Sequence, residues 1–180
     1  PVLRHAVTLG VPVSVDTSRA AVMRAALDLG VDIVNDVRAL RMPETLDTVA
    51  AHRHAGVCLM HMKGEPASMQ QAPAYADVVA EVSAFLAARA GAAQAAGIGA
   101  ERIVLDPGIG FGKTIEHNLE LARRQRELLA LGYPLLLGWS RKGTLGQLTG
   151  RALHERQAAS VAAALAAVAA GAAVVRVHDV

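Results

Sequence analysis

Six short apolar runs in this sequence each end on residues that can do chemistry. Asp16 closes VSVD, Asn35 and Asp36 close DIVND, Met60 and His61 close CLMH, and Asp106 closes RIVLD. Ser140, Arg141 and Lys142 close LLGWSRK, and Arg176 and His178 close VVRVH. Loops face water, so any one polar strand end is unremarkable. The mixture across all six counts for more. Carboxylates and an amide match the donor and acceptor edge of a polar heterocycle, while lysine, arginine and imidazole hold an anion. A few such groups converging in a concavity make a ligand site.

Other chemistries fit less well. The run DPGIGFGKT, 106–114, is glycine-rich, but a Walker phosphate loop needs Gly at position 107, which is Pro107. Its Gly108, Gly110 and Gly112 give Gly-x-Gly-x-Gly, not the dinucleotide fingerprint. It reads as a turn after a strand whose bare backbone can approach a ligand. Seven histidines show no zinc spacing. His52, His54, His117 and His154 fall in helical stretches and read as solvated, leaving His61 and His178 at strand ends. Ser140 lies in no Gly-x-Ser-x-Gly elbow, which argues against a nucleophilic triad.

A repeated unit positions these residues: a helical stretch, then Gly, then the apolar run. Gly10, Gly30, Gly56, Gly97 or Gly99, Gly132 and Gly171 occupy the helix-ending place, where a left-handed backbone suits a residue without Cβ. Short β-branched runs fit strands covered on both faces. Helical spacing marks 18–29, with Thr17 or Ser18 as cap and Val22, Ala26 and Leu29 on one face. It also marks 43–54 with Pro43 in its first turn, and 74–96 with Val78, Val82, Phe85 and Leu86 on one face. Segments 116–130 and 154–170 read likewise. Strands alternating with helices imply a parallel α/β sheet, either open and doubly wound or closed as a barrel. In both, the strand ends share one side; in a barrel they ring the mouth.

The 180 residues are 53% hydrophobic, 19% charged and 3% aromatic, so the chain folds around an aliphatic core. No linker or compositional break interrupts it, and residues 1–180 read as one domain. The net charge of +2 is scattered, giving no nucleic-acid footprint. The Ala-rich stretch 158–175 is broken by Gly171 and reads as a buried helix and strand rather than a membrane span. The lone Cys58 sits in an apolar run as a core residue, in keeping with a reduced, cytoplasmic setting. No signal peptide is visible in PVLRHAVTLG.

Taken in order, SVDTSRAAVMRAALDLGVDIVNDV, MHMKGEP with Met69-Gln70, LDPGIGFGKTIEHN, LGWSRKGTLGQLTGR, HERQAAS and VRVHDV resemble the dihydropteroate synthases along the whole chain. The resemblance implies a (β/α)8 TIM barrel. It also implies condensation of 6-hydroxymethyl-7,8-dihydropterin pyrophosphate with p-aminobenzoate, giving 7,8-dihydropteroate and pyrophosphate in folate biosynthesis. By the same resemblance Asp16, Asn35, Met60, Asp106 and Lys142 hold the pterin, and Phe111 and Ser140 flank the aminobenzoate. Arg176 and His178, assisted by Arg141, hold the pyrophosphate, and Lys142, Arg176 and His178 act in catalysis. Pyrophosphate leaves the pterin CH2 and the aryl amine attacks it. Carboxylates beside the ring would stabilise a cationic pterin, and Mg2+ would neutralise the leaving group. A cytoplasmic homodimer and a sulfonamide target are further implications.

This sequence departs from the family pattern at its ends. It opens in what would be the helix before the third strand and stops just after the eighth, leaving about six of eight βα units. The Asn expected near the pyrophosphate and Mg2+ belongs to an earlier strand, so no metal ligand is expected within this chain. The expectation is that these residues alone fold poorly and are inactive. Trp139 replaces a small residue and is expected to crowd the mouth. Two other readings are a pterin-binding methyltransferase barrel, which lacks the Ser-Arg-Lys and Arg-Val-His blocks, and an inactive pterin-binding paralogue.

Overall fold

The computed structural model describes residues 1–64, 69 and 73–180. Glu65, Pro66 and Gln70 of the MHMKGEP and Met69-Gln70 motifs lie outside the described residues. Six strands alternate with helices: α1 (Val2–Ala6), β1 (Ser14–Asp16), α2 (Ala20–Asp28), β2 (Ile33–Asp36), α3 (Thr45–Ala51), β3 (Gly56–Met60), α4 (Val78–Ala95), β4 (Ile103–Asp106), α5 (Ile115–Arg123), α6 (Gln125–Leu129), β5 (Leu136–Leu137), α7 (Gly143–Thr149), α8 (Gln157–Ala169) and β6 (Val174–Val175). The chain forms two compact units, one of Pro1–Met60 with Leu86–Leu105, the other of His61–Phe85 with Asp106–Val180.

The first unit carries the strand order β1-β2-β3-β4. Parallel register pairs Asp16 with Asn35, and Asn35 with Cys58, so the polar residues closing β1 and β2 stand side by side. Met23, Val34, Val49, Val57, Leu59 and Leu86 are buried here, as is Cys58. β1, an outer strand, is instead exposed at Ser14 and Asp16, against the expectation of cover on both faces. Two arginines replace missing backbone partners. Arg102 donates to the carbonyls of Ala55, His52 and Val49 at 2.7, 2.8 and 3.0 Å, tying down the end of α3. Arg89 donates to those of Ala39 and Leu40, which hold left-handed backbone at φ 51° and 54°.

The second unit holds the parallel pair β5 and β6, registered Leu136 to Val174 and Leu137 to Val175. Thr114 and His117 cap α5 reciprocally, so His117 is engaged rather than solvated. Trp139 is 5% exposed and lines an apolar hollow with Leu119, Ala122, Leu145, Leu148 and Ala163. It faces helices, and so does not crowd the polar strand ends. α8 is less buried than its composition suggests. Its Ala163, Ala166 and Ala167 line that hollow, while Val161, Leu165 and Val168 are exposed on other sides of the helix.

Several local expectations are corrected. Gly56 opens β3 and Gly99 precedes a 3-10 turn in extended backbone, so neither terminates a helix. Ser18 donates to Asp36 and Thr17 accepts from the Arg19 N–H, so α2 starts without a side-chain cap. Pro43 precedes α3 in a turn. The helical stretch 116–130 breaks at Arg124 (φ −105°, ψ 20°), whose guanidinium reaches Asp77 at 3.1 Å. No helix among the described residues is long and apolar enough to cross a membrane.

Candidate functional site

Within the second unit, Asp106 is the focus. It ends β4 fully buried, and its Oδ2 accepts from Arg176 Nη2 at 2.8 Å. Its Oδ1 accepts from the Gly108 N–H at 2.7 Å, so the glycine-rich turn seats the carboxylate. Arg176 follows β6 and lies close over Gly138, where a Cβ would stand 2.8 Å from Nη2. A side chain at 138 would oblige the guanidinium to shift.

Lys142 starts α7 with its stem along Gly110 and its Nζ 4.3 Å above the Phe111 ring, a cation–π contact. Burial lowers its pKa, the Arg176 charge lowers it further, and Asp106 opposes them. It is thus a partly desolvated cation ready to donate to a ligand. A cavity of about 520 Å³ opens beside it, lined by Gly110, Thr114, Lys142, Gly143, Thr144 and Gln147 among others.

The remaining strand-end residues form a second set. Ser140 Oγ lies 3.0 Å from His178 Nδ1 and accepts from the His178 N–H at 3.1 Å. Arg141 points elsewhere. Its Nε donates to Asp179 at 3.0 Å, its side chain is 43% exposed, and the carboxylate raises its pKa. It would have to leave Asp179 to meet a phosphate.

In the first unit Asn35 Nδ2 donates to Asp16 Oδ2 at 2.8 Å. Asp36 is fully buried and receives the N–H groups of Arg38 and Leu40 at 2.9 and 2.8 Å, so its task is to shape the turn after β2. Met60 is fully buried at the end of β3.

Two residues escaped the sequence reading. Lys113 is 3% exposed, and burial drives its pKa down to about 7, with Asp106 opposing and Lys142 assisting the shift. Asn118 is 1% exposed; it accepts from Gly110 and donates to Thr114 and Thr144. Their only sequence signal was proximity to the glycine run.

A model of the family described as "Pterin binding enzyme" matches residues 1–178. The chain belongs to the pterin binding enzyme family. Among the members of that family it resembles is the dihydropteroate synthase of Neisseria meningitidis serogroup C, 53% identical over 100% of this chain and 65% of the relative. The chain thus spans about two-thirds of the length of that curated relative. Dihydropteroate synthase from Stenotrophomonas maltophilia superposes with TM-score 0.96 at 50% identity, covering 99% of this chain and 68% of the other. The Xanthomonas albilineans enzyme in complex with 7,8-dihydropteroate superposes with TM-score 0.93 at 47% identity, over 100% of this chain and 66% of the other. The fold is the α/β architecture of these pterin binding TIM barrels, of which this chain supplies about six βα units.

Proposed function

We propose that the protein containing this chain is a dihydropteroate synthase, joining 6-hydroxymethyl-7,8-dihydropterin pyrophosphate to p-aminobenzoate with release of pyrophosphate. The observation that carries the reading is a fully buried carboxylate, Asp106, interacting with two cations, Arg176 and Lys142. Similarity to an enzyme crystallised with 7,8-dihydropteroate supports it.

In this reading Asp106 accepts the amino and ring N–H groups of the pterin, and Lys142 donates to a ring nitrogen or carbonyl. Arg176, which pairs with Asp106 at 2.8 Å, also serves the pyrophosphate, with His178 and Arg141 alongside. The C–O bond at the pterin CH2 breaks, pyrophosphate leaves with the bonding pair, and the aryl nitrogen attacks the carbon and then sheds a proton. A buried carboxylate by the ring favours the cationic pterin this creates. Phe111 and Ser140 flank the aminobenzoate.

Among the described residues no group of three His, Cys, Asp or Glu side chains could hold a metal. Mg2+ is proposed as a companion of the pyrophosphate, whose charge it would neutralise, and no step depends on it. A homodimer and a cytoplasmic location belong to the same reading.

The test is formation of dihydropteroate by the full-length protein, followed chromatographically. Product from wild type and none from Asp106→Ala supports the reading. Pterin binding without turnover would favour an inactive paralogue, and no pterin binding at all would sink it.

A further inference from the structure

The mechanism above leaves one buried cation unused. Lys113 follows a turn in which Gly108, Gly110 and Gly112 all hold left-handed backbone, at φ 70°, 80° and 63°. A chain so rich in glycine has little intrinsic stiffness, yet this turn seats Asp106 through the Gly108 N–H and carries Phe111 beneath Lys142. Lys113 spans it from behind. Its Nζ lies 2.9 Å from His61 Nδ1, 2.9 Å from the Gly108 carbonyl and 3.1 Å from the Phe111 carbonyl. The two carbonyls accept from the amine, and the His61 carbonyl lies 3.4 Å away beside its ring nitrogen. His61 is itself wedged by Phe85, edge-on at 4.9 Å, so the far end of the link is fixed.

We propose that Lys113 is a positioning residue for the aminobenzoate half of the site, tying His61 to the Gly108 and Phe111 carbonyls and so holding Phe111 against Lys142. The inference rests on the functional reading above, which assigns Phe111 to aminobenzoate. Asp106 has two anchors that Lys113 does not touch, its place at the end of β4 and its Arg176 partner. The effect therefore falls on aminobenzoate more than on pterin. Asn118 makes a second tether, from the Gly110 N–H to Thr144 on α7, which limits how far the turn can collapse.

The experiment is steady-state kinetics on full-length Lys113→Met with both substrates varied. The expected result is a tenfold or larger rise in KM for p-aminobenzoate, with kcat and the pterin KM within threefold of wild type. A lysine needed only for folding would lower kcat by shrinking the active fraction while leaving both KM values alone, and that result overturns the proposal. If Lys113→Met fails to fold, His61→Leu loosens the same link from its other end. A rise in aminobenzoate KM of threefold or more then supports the proposal, and an unchanged value overturns it. Should wild type show no condensation, the functional reading falls and the link is decided by amide hydrogen exchange. Gly110 and Phe111 exchanging tenfold faster in the lysine variant, with β2 unaffected, supports the holding role; unchanged exchange removes it.

Discussion

Replacing Asp106 by Asn changes one buried oxygen for an amide and little else in volume. Oδ1 can still accept the Gly108 N–H, now 2.7 Å away, but the atom facing Arg176 at 2.8 Å becomes an NH2 that cannot accept its hydrogen bond. The Arg176 side chain is 35% exposed and can rehydrate, so folding should lose only about 1–2 kcal/mol, the range for one charge-assisted hydrogen bond made partly in water. Binding should suffer more. A pterin offers two donors to the carboxylate, each such bond is worth about 1.5–3 kcal/mol, and the Asn NH2 would oppose one of them. A loss of about 1.5–3 kcal/mol corresponds to roughly 10–10² in Kd. Titration calorimetry of the full-length protein with pterin pyrophosphate measures it, and a thermal melt checks the fold. A folded Asp106→Asn that binds within threefold of wild type would refute the assignment of the carboxylate to the pterin edge.

Two further outcomes are expected in the full-length protein. His52 faces an acceptor at each ring nitrogen, the Thr48 carbonyl at 2.7 Å and Asp28 Oδ1 at 3.0 Å, so its doubly protonated form donates to both. Its pKa is raised above 6.5, first by the Asp28 hydrogen bond and then by that to Thr48. The protonated form is therefore favoured by folding. Its stabilisation is complete below pH 6.5 and fades as pH rises through the folded pKa. The pair is largely exposed, so the loss is about 0.5–1 kcal/mol; urea unfolding at pH 5.5 and 8.5 should show it, and His52→Gln should flatten it. Trp139→Ala should cost about 3–5 kcal/mol by opening a cavity under α5, α7 and α8. Trp139 is the only tryptophan of these 180 residues and is buried, so its own native emission should be blue-shifted and move to the red on unfolding. Emission already at the solvent-exposed position in the native protein would contradict the packing.

The sequence by itself determined whatever depends on neighbours along the chain. Apolar runs of four to six residues between helical stretches give parallel strands, because only such runs can be covered by the helices beside them. The residue closing each run is then placed by covalent geometry, so Asp16, Asn35, Asp106, Lys142, Arg176 and His178 were legible as strand-end chemistry. Glycines at 10, 30, 97, 132 and 171 were legible too, since a positive φ is a local demand. What only the tertiary structure decided involves partners distant in sequence. Lys113 carries no mark of its role until His61, 52 residues earlier, and two carbonyls close around it. Helix 116–130 reads as continuous until Arg124 finds Asp77, 47 residues away. Trp139 reads as a mouth residue until α5, α7 and α8 form a hollow behind it. Arg176 was legible as a cation for phosphate, but its pairing with Asp106, 70 residues before it, was not. Burial and charge pairing are set by what folds back onto a residue, and local pattern carries no record of that.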